Sequence, residues 1–235
     1  MGKTLAMVGR FDTAMVWFRQ AAIKNDGATS TAASITKALK SAAAPLRTSR
    51  RRCGEGRGAG MTICDDISVT PATEADRRLI GGMIQFYIYD FSELEPSGSD
   101  RFEPGADGRF EDYRELARYW GDRDRAALVI RRGGRPVGFA LLNALSHSGG
   151  EVDHNMGEFF VMRKHRRGGV ASAALRAILA AYPGRWEIAV ARRNTGALAF
   201  WPRAVAAAAG VRDLETVPGD GARWTGPILR FVVAP

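Results

Sequence analysis

Cysteine is scarce, with only Cys53 and Cys64 in 235 residues. Two thiols divided by a Gly-rich stretch make no disulfide framework, and with three scattered histidines they make no zinc-type spacing; reduced thiols and no metal are expected. No apolar run reaches the roughly 18 to 20 residues needed to cross a bilayer. The first residues lack a continuous apolar stretch ending in a small-residue cleavage site. A membrane role is not expected, and a cytoplasmic location is the default. Acidic residues are nearly missing from one end. Residues 1–60 hold 11 Lys and Arg against 3 Asp and Glu, a net +8 of the chain's +9, leaving 23 against 22 in residues 61–235. The basic total therefore says little about the body of the protein, and nucleic-acid binding is not expected of it.

What is present suffices for one domain with a sizeable core, at 46% hydrophobic and 25% charged residues. Residues 1–60 are rich in Ala, Ser, Thr, Gly and Arg and end in RTSRRRCGEGRGAG. They show no sustained period of 2 and one weakly amphipathic patch, AMVWFRQAAI, and are expected to form a poorly ordered basic extension. Three explanations fit it: an in-frame addition upstream of a working start at Met61, a basic interaction tail, or an acid-poor targeting peptide. Residues 61–235 are expected to form the domain.

From Met61 the signals become regular. ISVT alternates as a strand, and Thr73 to Asp76 has the spacing of a capping box before a helix expected from Ala75 to about Phe91. RFEDYRELARYW reads as a second short helix after a long loop. AALVIRRGGRPVGFALLNAL reads as two strands turning at Gly133-Gly134. GEFFVM is a strand, about Gly169 to Ala181 a helix, and RWEIAV a strand. Asn194 caps a further helix that Pro202 interrupts or kinks, and RDLETV and PILRFVVA supply the last strands. The order predicts an α/β (α+β) domain with a mixed, mainly antiparallel sheet of about six to seven strands, about four helices, and one parallel crossover between the strands at 158 and 186.

The segment EFFVMRKHRRGGVASAAL, Glu158 to Leu175, carries the strongest chemical signal. A strand that delivers a glycine turn to a helix N-terminus exposes backbone N–H groups backed by the positive end of the helix dipole, a ready seat for phosphate. Arg163, Lys164, Arg166 and Arg167 add charge that can pair with phosphate oxygens. The bland alternative is a solvated surface loop with a convenient turn.

The run Arg166-Arg167-Gly168-Gly169-Val170-Ala171, preceded by Phe159-Phe160-Val161, resembles the acyl-CoA-binding motif of the GCN5-related N-acetyltransferases (GNAT). NTGALAFW, Asn194 to Trp201, resembles that family's second hallmark, Asn-x-x-Ala with an aromatic residue seven after the Asn. The resemblance spans about Ile67 to Val233. It implies a V-shaped splay between the strands near 158 and 186, with acetyl-CoA as co-substrate. By this resemblance the backbone of Arg167, Gly168, Gly169, Val170, Ala171 and Ser172 takes the pyrophosphate, with Arg166 opening the motif. Phe159, Phe160 and Val161 pair with the pantetheine arm as a strand edge would pair with a peptide, and Asn194 contacts the arm. The implied activity is acetyl transfer to a primary amine, a small molecule first and a protein amino group second; a non-catalytic acyl-CoA-binding regulator is the reading from another class. The partners expected are a small-molecule amine and at most a second copy of the chain.

Direct transfer needs a base for the amine and a proton for the leaving sulfur. Glu158 leads as base, with Asp153 and His154 as alternatives. Trp201 stands where the family has its acidic tyrosine, and an indole N–H does not give up its proton at useful pH. Solvent is expected to fill that role, with Tyr87, Tyr89 and Tyr113 as unplaced candidates. The acceptor is expected to meet the aromatic and acidic residues of 86–120, among them Tyr87, Asp90, Phe91, Glu93, Glu95, Asp100 and Glu103.

Overall fold

The computed structural model describes the strand Leu46–Arg47 and residues 66–235. Both cysteines and the rest of the extension lie outside the described residues, together with the expectations placed on them. One mixed sheet runs in the order β1-β2-β3-β4-β5-β6-β8-β7. Its strands are β1 Leu46–Arg47, β2 Ile67–Pro71, β3 Ala126–Arg132, β4 Arg135–Asn143, β5 His154–Val161, β6 Gly184–Ala189, β7 Val211–Pro218 and β8 Pro227–Val233. Every neighbouring pair is antiparallel except β5 and β6. The strand beyond the expected seven is the two-residue β1, paired with β2.

Among the described residues four helices flank the sheet: α1 Arg77–Ser92, α2 Arg118–Gly121, α3 Val170–Ala181 and α4 Thr195–Ala206. A 3-10 turn, Glu74–Asp76, leads into α1, and both the backbone N–H and the hydroxyl of Thr73 donate to Asp76 Oδ2, at 2.9 and 2.8 Å. The helix expected over 109–120 shrinks to a 3-10 turn, Arg114–Ala117, and the single turn of α2. Gln85 on α1 accounts for its late start: its Oε1 accepts from the Phe110 N–H at 2.9 Å and its Nε2 donates to the Phe110 carbonyl at 3.4 Å, which pins that backbone outside a helix. Pro202 removes one bond from α4 without ending it.

Two cores lie on the two faces of the sheet. α1 brings Ile80, Met83, Ile84 and Ile88 onto Val129, Phe139, Leu141 and Phe160. On the other face α3 and α4 bring Leu175, Ile178 and Val205 onto Leu128, Leu142, Met156 and Trp186. Strand β5 serves both faces through a bulge: Leu141 stands opposite Glu158 and Leu142 opposite Met156, so Gly157 is an extra residue. The inserted residue shifts the alternation by one. Met156 faces α3, whereas Glu158 and Phe160 face α1. Only glycine fits at 157, because a Cβ there would stand 2.6 Å from Asn143 Nδ2 and 3.2 Å from Tyr119 Oη.

Strands β5 and β6 pair at His154↔Trp186 and Asn155↔Glu187 and then part. From Met156 onward the β6-facing edge of β5 has no ladder with the described residues, and the sheet opens as a V over the N-terminus of α3. No described helix is long and apolar enough to cross a membrane.

Candidate active site

A groove of about 630 Å³ fills the V. Its walls are Phe159, Phe160 and Val161 of β5, Ile188 and Ala189 of β6, and the first turns of α3 and α4. At its floor the backbone turns through Arg167 (φ 61°) and Gly169 (φ 78°) into α3. Left-handed residues just before a helix gather successive N–H groups into a concave nest, and the first N–H groups of the helix have no intrahelical partner. Arg166, Arg167, Gly169, Ala171, Ser172 and Asn194 all line the groove, together with Trp201. Gly168 and Val170 do not, and the Val170 side chain is buried in the core.

The arginines are arranged otherwise than their sequence clustering suggests. Arg163 donates to Asp90 at 2.6 Å and to Glu93 at 2.7 Å. Arg166 donates to Asp90 and, through Nε, to the Val161 carbonyl at 2.7 Å, with its guanidinium over the Phe160 ring. Two of the four local cations are thus spent on stapling α1 to the end of β5. Lys164 and Arg167 are exposed. Asn194 caps α4 by accepting from the Ala197 N–H at 2.9 Å while also lining the groove. Trp201 is 7% exposed and packs edge-on against Phe159, with centroids 5.2 Å apart, as a wall of the groove.

A second, smaller pocket of about 90 Å³ meets the groove at Tyr87, Phe91, Met156, Gly157 and Ala189. Glu158, half-buried, lies in its lining. Tyr87 donates its hydroxyl to Glu158 Oε2, and Tyr113 donates to Oε1 at 3.0 Å. Burial raises the Glu158 carboxyl from 4.5 to about 7, against the two tyrosine hydrogen bonds, which lower it. Burial and the nearby Glu158 charge push both tyrosines well above their usual 10. The network continues below the pocket: Asn143 Nδ2 donates to Tyr119 Oη at 3.3 Å, and Asn155 Nδ2 donates to Asn143 Oδ1 at 3.0 Å.

The other sequence candidates fall elsewhere. Asp153 pairs with Arg185 at 3.1 Å. His154 is buried between Tyr182 and Trp186, with Nε2 on the Pro183 carbonyl at 3.1 Å, on the far side of the bulge from Glu158. Neither lines the groove or the pocket. Tyr89 is 59% exposed and also lies outside both cavities. The acidic side chains of 86–120 do not form a cation seat. Asp90 and Glu93 hold the two arginines, Glu95 pairs with Arg101 and Arg193, and Asp100 and Glu103 are exposed.

Sequence reasoning missed the far wall of the pocket, His147 and Trp224, whose rings meet at 5.2 Å. The loop carrying His147 wraps the buried Glu187 carboxylate, which accepts from the backbone N–H groups of His147 at 2.6 Å and Ser148 at 3.3 Å. A glutamate in the middle of RWEIAV, between the buried Trp186 and Ile188, was the available signal.

The sequence profile of the Acetyltransferase (GNAT) family matches residues 82–205, more than half of the chain. The chain belongs to the GNAT acetyltransferase family. No curated protein matches it in sequence. Among solved structures it is similar to an acetyltransferase from Thermus thermophilus (19% identity, 71% of this chain and 95% of that one, TM-score 0.48). It is also similar to the paia N-acetyltransferase of Thermoplasma acidophilum in complex with coenzyme A (10%, 72% and 99%, 0.45), and to yncA of Salmonella typhimurium with acetyl-CoA (15%, 71% and 92%, 0.43). As a GNAT acetyltransferase the protein is an acyltransferase enzyme, and acetyl transfer is its chemistry.

Proposed function

We propose that the enzyme transfers an acetyl group from acetyl-CoA directly to the primary amine of a small molecule, with Glu158 as the base. The observation that carries this reading is the position of Glu158, in a pocket that opens onto the groove, with a carboxyl that changes charge near neutral pH. The groove suits acetyl-CoA in three ways. The nest before α3 presents N–H groups to a pyrophosphate; the unladdered edge of β5 offers main-chain partners to an extended arm bearing amides; and the groove's floor leads to the pocket. Phe159, Phe160, Val161 and Asn194 would hold the arm, and Arg167, Gly168, Gly169, Val170, Ala171 and Ser172 the pyrophosphate, through backbone N–H groups. Arg166 would act by fixing β5 to Asp90 rather than by meeting phosphate itself.

Bound acetyl-CoA supplies an activated acyl group on sulfur. Glu158, ionised above about pH 7, takes a proton from the ammonium and leaves a neutral amine to attack. The sulfur that departs needs a proton, and the indole at 201 cannot give one. The Tyr87 hydroxyl is bonded to Glu158, and its residue lines both cavities. It can pass its proton to the sulfur while drawing another from Glu158, and the carboxylate so restored takes the second proton from nitrogen and gives it to solvent once the products leave.

The reading is tested with Glu158→Gln, which keeps the shape and removes the titrating group. The expected result is a fall in kcat of about a hundredfold or more with acetyl-CoA affinity unchanged by calorimetry. A variant as fast as the parent sinks Glu158 as base.

A further inference from the structure

The pocket beside Glu158 has a chemical character that restricts the acceptor more narrowly than the groove does. None of its lining residues is Lys or Arg. His147 is buried and held near 4 against the pull of Glu187, so it adds no positive charge at neutral pH. Arg230 behind this loop is engaged by Glu187 at 3.8 Å and Glu215 at 3.0 Å. On the negative side Glu158 presents a carboxylate, and beneath it Asn155, fully buried, has an Oδ1 with no donor among the described residues. Its orientation is fixed, because Asn155 Nδ2 must face Asn143 Oδ1, which also accepts from the Leu145 N–H at 2.9 Å. The remaining walls are aromatic, Tyr87, Phe91, Tyr113 and Trp224, and apolar, Leu145, Met156 and Ala189 among them.

A half-buried carboxylate, aromatic faces and no cation make a seat for one ammonium group and an apolar body. A carboxylate brought into the same space would lose its water beside Glu158 with nothing to replace it. Size points the same way: about 90 Å³ is small beside the groove of about 630 Å³ and suits a compact occupant. We infer that the acceptor is a compact monoamine with an aromatic or branched apolar body and no carboxylate, of about the size of benzylamine, and that α-amino acids are excluded. The inference rests on the reading of Glu158 as the base and adds to it the class of molecule the base serves.

Three probes separate charge from bulk: benzylamine, phenylglycinamide and phenylglycine share the ring and the amine, and only the last carries a carboxylate. Each is offered to the full chain with acetyl-CoA while thiol release is followed, and binding to the protein with coenzyme A is read from Trp224 fluorescence against a Trp224→Phe control. Benzylamine is expected to be acetylated with a kcat/KM about a hundredfold or more above that of phenylglycine, with the amide between them and the same order in binding. Phenylglycine used within about threefold of benzylamine overturns the inference. So does failure of benzylamine to bind or react, including the case in which a polyamine or a tripeptide is acetylated instead. If that larger acceptor is lost in Glu158→Gln, the base stands and only the acceptor class falls; if benzylamine is acetylated equally by Glu158→Gln, the base falls and the acceptor class stands.

Discussion

The Glu158 carboxyl loses water on burial, which favours its protonated form, and gains two hydroxyl donors, which favour the ionised one. Burial wins, and the group holds its proton up to about pH 7. In the unfolded chain the same group releases it near 4.5, so between these values the native state binds a proton that the unfolded state does not. Stability from this group is therefore full below about 4.5, falls as pH rises to about 7, and is flat above. Melting the parent and Glu158→Gln at about pH 5 and about pH 8 should show the variant gaining on the parent with rising pH. Tyr113 supplies the second prediction. Its bond stabilises the carboxylate, so Tyr113→Phe should move the rising limb of the kcat/KM profile to higher pH by about one unit, given the usual worth of a hydrogen bond to a charged group. A limb that stays in place would mean that Tyr113 only packs. That Glu158 is a candidate could be read from its place on an acyl-CoA-type strand, but the direction of its side chain could not. Simple alternation from the buried His154 and Met156 puts residue 158 on the α3 face, and only the extra residue at Gly157 turns it towards α1.

Among the elements, α3 separates binding from stability. Its first turn lines the groove through Ala171 and Ser172, while Val170, Ala174, Leu175 and Ile178 face the core. A negative side chain in a first helical turn suits the helix dipole by about 0.3–1 kcal/mol, yet it repels an anion seated on the same N–H groups. Ser172→Asp should thus melt no lower than the parent while binding coenzyme A at least about tenfold more weakly by calorimetry; unchanged affinity would move the pyrophosphate elsewhere. In α1, Gly82 has no neighbour within 4 Å of where its Cβ would stand. Gly82→Ala should therefore stabilise the fold by about 0.4–1 kcal/mol, read as a rise in the denaturation midpoint with an unchanged slope. The pattern of Ile80, Ile84 and Ile88 revealed α1 in spite of its two glycines, because burial of that face outweighs their helix cost. The helix expected over 109–120 was illegible because it is overruled at a distance, by Gln85 on another element.

At the scale of the molecule the charge is divided unevenly along the chain. The mixed, mainly antiparallel sheet followed from the order of elements and one parallel crossover, whereas the splay between β5 and β6 was implied only by the family resemblance. The extension carries +8 and the body +1, and of the extension the described part is β1, two residues paired with the edge of β2. Beginning the chain at Met61 removes a two-residue pairing from an edge strand whose other side stays bonded to β3. The shortened protein should keep its acetyl-CoA affinity within about twofold and lose no more than about 1–2 kcal/mol of stability. Its electrostatics should change far more. With the net charge falling from +9 to +1, retention on a cation exchanger and any salt-sensitive adsorption to DNA should largely disappear. If coenzyme A binding fell along with the charge, the extension would have to reach the cofactor, and the nest before α3 would not be a complete anion site by itself.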